Sequence, residues 1–469
     1  MPSYSYNGVD MVQAQRASEK DMHKVHIRAV PDEEKCVKAL EYLDYFRKTR
    51  RSFVMAMESC VKCGACAENC HTYLGTKDPN NIPTNRAELV RKVYKRYFTP
   101  EGRRFGKLVG AEDLTLDVLE PWYSYFSHCI ECRRCATSCP FGIDTCEVTM
   151  VARQVLHWIG MTPKLHANTG AAMENVGNHT NIPKAALVDT LEFLAEDIMD
   201  EFGVEIEIPV DKPNCDIIYI PSSADFSLNE YTLKGAAMFF SYIGANWCIP
   251  SIVTEAGNFG YLYDQYFTQR HNVMRLLNAV EELGAKKVVW GECGHGWRAA
   301  KMYTPSMADR PVRVPITHIH DEVAYYIRTN QLKLDPTKNN HPATLHDPCN
   351  YARACDLQEN LRTVIKAVTT DFREMNPNKD RTFCCGGGSG ILFDDPEMYQ
   401  RRIQLSAKKA ELVRATGVCG DFDDENTYGI LCAPCSICKA QLYPMVKEHK
   451  LAVHVKGLID LVGKALVWK

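Results

Sequence analysis

Apolar residues recur at two different spacings in the two halves of this chain. In residues 32–57 they return at helical intervals, as at Leu40 and Leu43, and residues 86–96 repeat that pattern. Beyond about residue 210, short runs rich in Ile, Val and Tyr alternate with helical stretches. Such alternation is typical of an α/β unit built on a parallel sheet. The pattern therefore predicts a helical N-terminal part and an α/β C-terminal part.

The α/β pattern occurs twice. Strands are predicted at residues 215–221, 287–290, 343–346 and 429–431, and helices at residues 229–242, 271–283, 361–368 and 396–415. Two similar series of elements indicate a duplicated unit. We expect residues 213–335 and 336–469 to be two copies of one fold, related by pseudo-twofold symmetry.

Two cysteine runs of identical spacing, C-x2-C-x2-C-x3-C, lie in the helical part. They comprise Cys60, Cys63, Cys66 and Cys70 in the first run, and Cys129, Cys132, Cys135 and Cys139 in the second. In two-cluster ferredoxins the fourth cysteine of each run serves the other cluster. We therefore assign one cubane [4Fe–4S] cluster to Cys60, Cys63, Cys66 and Cys139, and a second to Cys129, Cys132, Cys135 and Cys70. A pair of zinc sites fits poorly, since zinc usually takes two separated pairs of ligands.

Two details depart from a simple two-cluster pattern. His71 follows Cys70, whereas Pro140 follows Cys139. Cys146 comes soon after the second run and has no place among the eight assigned ligands. About sixty residues of helical character separate the two runs, which favours an α-helical ferredoxin-type domain over a compact small one.

Composition narrows the function. The chain has 469 residues, enough for two or three domains, and a formal charge of −3, which does not favour nucleic-acid binding. Its 21 cysteines lie in CxxC clusters without a secretory signal, which indicates metal binding in a reducing, cytoplasmic compartment. No apolar run is long enough to cross a bilayer, so we expect any membrane attachment to come through partner subunits.

A second group of cysteines lies in the C-terminal copy. It comprises Asp347-Pro348-Cys349, then Cys384-Cys385-Gly386-Gly387-Gly388, then Cys432-Ala-Pro-Cys435-Ser-Ile-Cys438. Each piece falls at a strand end or in a loop that leads to a helix, where open α/β sheets present their ligands. Gly386 and Gly387 are expected to let the backbone approach a bulky cofactor. Adjacent cysteines suit a cluster with several irons better than a single ion.

This arrangement resembles the cysteine-rich CCG domain of heterodisulfide reductase catalytic subunits. Behind a two-cluster ferredoxin domain, the layout is similar to the HdrD and DsrK type of subunit, over roughly residues 50–469. The resemblance implies a non-cubane [4Fe–4S] cluster that cleaves a disulfide. Its implied ligands are Cys349, Cys384, Cys385, Cys435 and Cys438, with Cys432 as a rival to either of the last two.

The N-terminal copy keeps little of this set. Trp247-Cys248 stands in place of the Cys-Cys pair, and Glu292-Cys293-Gly294-His295-Gly296 in place of the CxxC motif. We expect no cluster in this copy, and the Glu-Cys-Gly-His block is most similar to DsrK. Cys293 and His295 either serve the C-terminal cluster as a thiol and a proton donor or are relics of a lost site. His346 is a weaker candidate proton source.

The predicted fold is α+β and multidomain. Its parts are an N-terminal arm (1–30), a helical two-cluster ferredoxin-type domain (31–160), a helical linker (161–212), a degenerate CCG-type repeat (213–335) and a cluster-binding CCG-type repeat (336–469). The arm either wraps a partner or is a disordered tail.

The resemblance implies an electron-transfer subunit held on the inner face of the cell membrane by other subunits of its complex, as in the DsrMKJOP complex of sulfate respiration. A membrane cytochrome b-type subunit would oxidise quinol, and the electrons would reduce a disulfide or trisulfide on a small DsrC-like sulfur-carrier protein. Two alternatives stay open. One is reduction of the CoM-S-S-CoB heterodisulfide. The other is an electron conduit in a flavin-dependent oxidase of glycolate, lactate or glycerol-3-phosphate.

Overall fold

The structure is a computed structural model that describes residues 5–254, 262–264, 268–387 and 396–468. The chain folds into two compact units. The first comprises Met1–Asn168, Leu262–Gln265 and Gly386–Lys408, and the second comprises Thr169–Tyr261, Tyr266–Cys385 and Lys409–Lys469. Because segments far apart in sequence share a unit, neither unit is one continuous stretch of chain.

The first unit is mainly helical. Its helices are α1 (Glu19–Lys24), α2 (Asp32–Thr49), α3 (Arg51–Ser59), α4 (His71–Thr76), α5 (Pro83–Phe98), α6 (Pro100–Phe105), α7 (Leu116–His128) and α8 (Thr145–Trp158). The single helix predicted over residues 32–57 is broken at Arg50, whose backbone is extended (φ −121°, ψ 98°). The break lets Phe46 and Phe53 both reach the core, where each is fully buried with Trp122. Burial of such aromatic side chains is the main source of stability for this unit.

The N-terminal arm lies against its own unit from Ser5 onward. Strands β1 (Ser5–Tyr6) and β2 (Val9–Asp10) form a short antiparallel hairpin. Further along, the Val12 carbonyl accepts hydrogen bonds from Ser124 Oγ at 2.9 Å and His128 Nε2 at 2.8 Å, and Tyr123 donates to the Ala14 carbonyl at 3.0 Å. The arm therefore packs on α7, and neither a partner nor a disordered tail is needed to explain residues 5–30.

The second unit contains two parallel sheets with helices on both sides. Its strands are β3 (Ile217–Ile220), β4 (Trp247–Cys248), β5 (Lys287–Trp290), β6 (Ile316–His318), β7 (Ala343–Leu345), β8 (Gly429–Cys432) and β9 (Val453–Lys456). Further helices of the chain are α9 (Lys164–Val176), α10 (Lys184–Phe202), α11 (Glu230–Tyr242), α12 (Thr268–Glu282), α13 (Gly294–Met302), α14 (Thr304–Met307), α15 (Ile319–Arg328), α16 (Gln358–Val368), α17 (Pro396–Ala415), α18 (Ser436–Glu448) and α19 (Leu458–Ala465). The boundaries between the two units fall within α9 and α17.

The two sheets share one strand order. The first runs β4-β3-β5-β6 and the second β7-β8-β9, and every pairing is parallel. A parallel bridge between Ala343 and Phe372 occupies the position in the second sheet that β4 has in the first. Strands β5 and β8 are apolar and buried, as expected for parallel strands covered on both faces. The predicted combination of a helical ferredoxin-type part and a CCG-type α/β part is confirmed.

Within the described ranges, no helix combines the length and the apolar character that crossing a membrane requires.

Candidate metal centres

The two cysteine runs of the first unit follow the same backbone path. The residue before the second cysteine of each run has a positive φ, 56° at Lys62 and 50° at Glu131. The residue after that cysteine also does, 81° at Gly64 and 62° at Arg133. Left-handed backbone is uncommon for residues other than glycine, and it concentrates where a site demands it. The two runs are therefore two copies of one binding loop.

Cysteines from both runs line one cavity. Cys60, Cys63 and Cys66 of the first run share it with Cys139 of the second, around about 410 Å³ of empty volume. Cys135 also touches this cavity, and Cys63 is exposed to solvent. The exchange of the fourth cysteine that the first cluster assignment requires is thus present in the folded chain.

The second predicted set lies deeper. Cys129 and Cys135 are buried, and their thiols act on that of Cys70. Burial raises the pKa of Cys70, against the nearby Arg86 guanidinium, which lowers it. Cys132 of the same run is partly buried.

Cys146 is a residue whose place the sequence left open. It is 1% exposed, near the start of α8, and its thiol interacts with those of Cys129 and Cys135. Those contacts are the main cause of its raised pKa. Its closeness to the second run in sequence was the available signal, and the fold turns that closeness into contact.

The cysteines of the C-terminal repeat form a compact buried group. The Cys384 sulfur is 3.7 Å from that of Cys349 and 3.9 Å from that of Cys385, and the Cys385 sulfur is 3.4 Å from that of Cys438. Cys435 interacts with Cys438, which is the main cause of its lowered pKa. All five are at most 5% exposed. Five of the six candidate ligands are thus together, which is the set that the resemblance implies.

Cys432 is the exception. It ends β8, and the charged groups that act on its thiol are Glu292, Asp460 and Lys439. Burial, followed by the effect of Glu292, raises its pKa far above that of a free thiol. The structure therefore separates Cys432 from the other five thiols.

Two basic side chains border this thiol group. His346 Nε2 is 3.3 Å from the Cys438 sulfur, so the weaker candidate of the sequence is in direct contact with the group. Lys409 is fully buried, and burial lowers its pKa to about 8, although Asp347 and the thiols of Cys384 and Cys385 favour its charge. Nothing in the sequence marks Lys409, because it is one of several charged residues along α17.

The degenerate repeat contributes a loop to the same place. Gly294, between Cys293 and His295, donates its backbone N–H to the Cys435 sulfur at 3.3 Å. A Cβ at Gly294 would lie 3.1 Å from that sulfur, so the close approach favours glycine. Cys293 accepts a hydrogen bond from Gly296 and begins α13.

The other cysteine of the degenerate repeat lies elsewhere. The Cys248 sulfur is 3.4 Å from that of Cys215, and both side chains are fully buried. Trp247-Cys248 pairs with Ile217 and Ile218 at the start of β3, whereas Cys293 follows the end of β5. Cys248 is therefore not placed beside Cys293 as a remnant of one site.

A buried ion pair joins the two repeats. Lys439 Nζ lies 3.3 Å from Glu292, and both side chains are fully buried. Glu292 also accepts the backbone N–H groups of Leu458 and Ile459 and contacts His320 Nε2 at 2.9 Å. Burial opposes the charge of Glu292, but Lys439 and His320 outweigh it and lower its pKa.

Replacing Lys439 with methionine should lower the free energy of unfolding by about 3–5 kcal/mol, because it leaves the Glu292 carboxylate buried without its cation. The urea midpoint, followed by far-UV circular dichroism, measures this loss. The matched control is Lys286→Met, which removes an exposed pair with Asp216 and should change stability by less than about 1 kcal/mol. Equal midpoints for the two variants would contradict this role of Lys439.

The predicted cofactor-binding glycines have a different environment from the one expected. Gly386 has φ 98°, and a Cβ there would lie 3.1 Å from the backbone of Leu405 in α17. The requirement for glycine at this position thus comes from a positive φ and a close helix. Gly387 is buried, and Gly388 lies outside the described residues.

The donor sets fit iron–sulfur clusters. Each group consists of soft thiol ligands, and thiolates select iron–sulfur clusters, zinc or copper(I) over hard cations. The two loops of the first unit repeat the ferredoxin spacing, and five thiols in contact exceed what one tetrahedral zinc ion takes.

Comparison with known proteins agrees with this assignment. Residues 56–143 match the family model described as a 4Fe-4S dicluster domain, and residues 343–443 match the cysteine-rich domain, CCG. No solved structure matches significantly. The fold and the cysteine sites thus define an iron–sulfur electron-transfer protein.

Curated relatives narrow the class. The chain is 32% identical to the Hdr-like menaquinol oxidoreductase iron–sulfur subunit 2 of Archaeoglobus fulgidus, covering 91% of this chain and 83% of the relative. Identity to the corresponding protein of Archaeoglobus profundus is 31%, over 91% and 82%. Identity to a subunit of the dihydromethanophenazine:CoB–CoM heterodisulfide reductase of Methanosarcina barkeri is 26%, over 88% and 95%. The chain belongs to this family of Hdr-like menaquinol oxidoreductase and heterodisulfide reductase iron–sulfur subunits.

Proposed function

We propose that the chain passes quinol-derived electrons to a sulfur–sulfur bond that is cleaved at the C-terminal repeat. The observation that carries this proposal is the group of five buried thiols, Cys349, Cys384, Cys385, Cys435 and Cys438. When bound, two cubane clusters in the first unit would supply one-electron transfer, and a non-cubane [4Fe–4S] cluster at the five thiols would supply electrons for the cleavage.

The residues around the thiol group support this chemistry. Cleavage of a disulfide consumes two electrons and two protons and yields two thiols, so the site needs balanced charge and proton donors. Lys409 and the Gly294 N–H are positive groups aimed at the sulfurs of this set. Cys293 and His295 flank Gly294, and we assign them to proton handling on the substrate side.

The partners follow from the same proposal. We propose a membrane cytochrome b-type subunit as the quinol-oxidising donor, since relatives are named menaquinol oxidoreductases and no described helix could span a membrane. The complex would lie on the cytoplasmic face. The proposed acceptor is a disulfide or trisulfide on a DsrC-like sulfur-carrier protein, and the CoM-S-S-CoB heterodisulfide is the alternative that the name of the Methanosarcina relative favours.

Anaerobic iron counting with EPR tests the proposal. We expect about twelve irons per chain and a new paramagnetic signal that appears only on oxidation with a thiol substrate. Titration with a DsrC-type carrier and, separately, with the coenzyme thiols shows which substrate elicits the signal. About eight irons without any thiol-dependent signal would overturn the catalytic site and favour an electron conduit.

A further inference from the structure

Arg86 is a buried guanidinium without a carboxylate. It lies in the first turn of α5, is 3% exposed, and forms no ion pair with any acidic group of the described residues. Its Nη2 donates to the Asn81 carbonyl at 2.8 Å, while its Nε is buried without a hydrogen-bond partner among those residues. A buried cation left in this state is strongly unfavourable.

The other fully enclosed arginines of the first unit are neutralised. Arg91, on the same helix, lies 2.5 Å from Glu88, and Arg153 lies 2.8 Å from Glu131. Arg91 also donates to the Met57 and Ala56 carbonyls. Arg86 therefore needs a negative partner that is not a side-chain carboxylate.

The nearest candidates are sulfurs of the second predicted cluster. Arg86 and the Cys70 thiol share one acceptor, since the Cys70 sulfur lies 3.7 Å from the same Asn81 carbonyl. The groups that most favour the charge of Arg86 are the thiols of Cys129, Cys70 and Cys135. All three belong to the set assigned to that cluster, and none is an exchanged ligand of the first.

We propose that Arg86 is the fixed counter-charge of the cluster held by Cys70, Cys129, Cys132 and Cys135, and that it selectively raises the reduction potential of this cluster. A [4Fe–4S] core with four thiolates is an anion and gains a further negative charge on reduction. A buried cation stabilises the reduced state more than the oxidised one, and burial prevents water from screening the effect. Arg86 is thus a positioning residue for electrons, and the inference rests on the proposed cluster assignment.

The surroundings of the first cluster site differ. Cys63 is exposed, and Lys62 beside it is paired with Glu88 at 2.6 Å. Solvent and this ion pair weaken any effect of a single charge there. The expected consequence is that electrons are held preferentially at the buried cluster rather than at the exposed one.

The test is an EPR-monitored redox titration of the full chain, purified anaerobically with its clusters. In Arg86→Gln, the equilibrium constant for one-electron reduction of one cubane should fall at least tenfold, which corresponds to a potential lower by about 59 mV. The other cubane should keep its potential. Arg86→Lys, which retains the charge, should stay within about threefold of the wild type, and the control Arg91→Gln should shift neither signal.

Unchanged potentials in a fully loaded Arg86→Gln chain would overturn the proposal. If Arg86→Gln loses four irons, Arg86→Lys decides: a full iron content with the wild-type potential supports the counter-charge, whereas loss of the cluster or a tenfold fall assigns Arg86 a structural role instead. Iron content and cubane signals of the wild type are measured first. They test the cluster assignment itself, so its failure is distinguishable from a failure of this inference.

Discussion

Replacing Cys385 with alanine should abolish reduction of the sulfur–sulfur bond and leave both cubane EPR signals intact. Cys385 is central to the thiol group, with its sulfur 3.4 Å from Cys438 and 3.9 Å from Cys384, and it is 1% exposed. Alanine removes this sulfur and leaves the eight cysteines of the first unit untouched. Iron content should fall from about twelve to about eight per chain.

Two buried cysteines of the second unit serve as controls. Cys355→Ala changes a thiol of the apolar core and should preserve both iron and turnover. Cys293→Ala should preserve iron content, because Cys248 of the same repeat lies elsewhere, beside Cys215. Loss of a cubane signal in Cys385→Ala would falsify the ligand assignment, and loss of four irons in Cys293→Ala would show that the degenerate repeat holds a cluster.

Replacing Cys139 with alanine should remove the cluster of the first run, although Cys139 belongs to the second run. Its side chain lines the cavity of Cys60, Cys63 and Cys66. The expected loss is about four irons together with the cubane that is more exposed to solvent. The measurement is iron content combined with the EPR power saturation and solvent accessibility of the surviving cubane.

The reciprocal variant, Cys70→Ala, is the matched control. It should remove the buried cubane near Arg86 and spare the exposed one. If each variant instead destroyed the cluster of its own run, the exchange of fourth ligands would be wrong and each run would bind its cluster alone.

Local patterns of the sequence were sufficient for much of the fold. Strand β5 and helix α17 have the predicted bounds, because a buried Val-Val-Trp run and a long helical period are local properties. Short strands such as β6 and β9 were missed, since their few residues alternate between buried and partly exposed positions. The break at Arg50 was missed because the apolar period continues across it.

Part of the sites was also readable without a structure. The cysteine runs and the Cys-Cys-Gly motif identify ligand types, since metal-binding loops keep their donors close together in sequence. The spacing could not show that Cys435 and Cys438, but not Cys432, join Cys349 and Cys384. That choice depends on the direction in which β8 ends and α18 begins.

The sequence by itself thus determined the class of cofactor, the family and the alternation of helices and strands, because each follows from short-range spacing. Only the tertiary structure decided which groups meet. It brought Cys139 to Cys60, Lys409 and His346 to the C-terminal thiols, and Arg86 to Cys70. These contacts join residues distant in the chain, and long-range packing, rather than local preference, determines them.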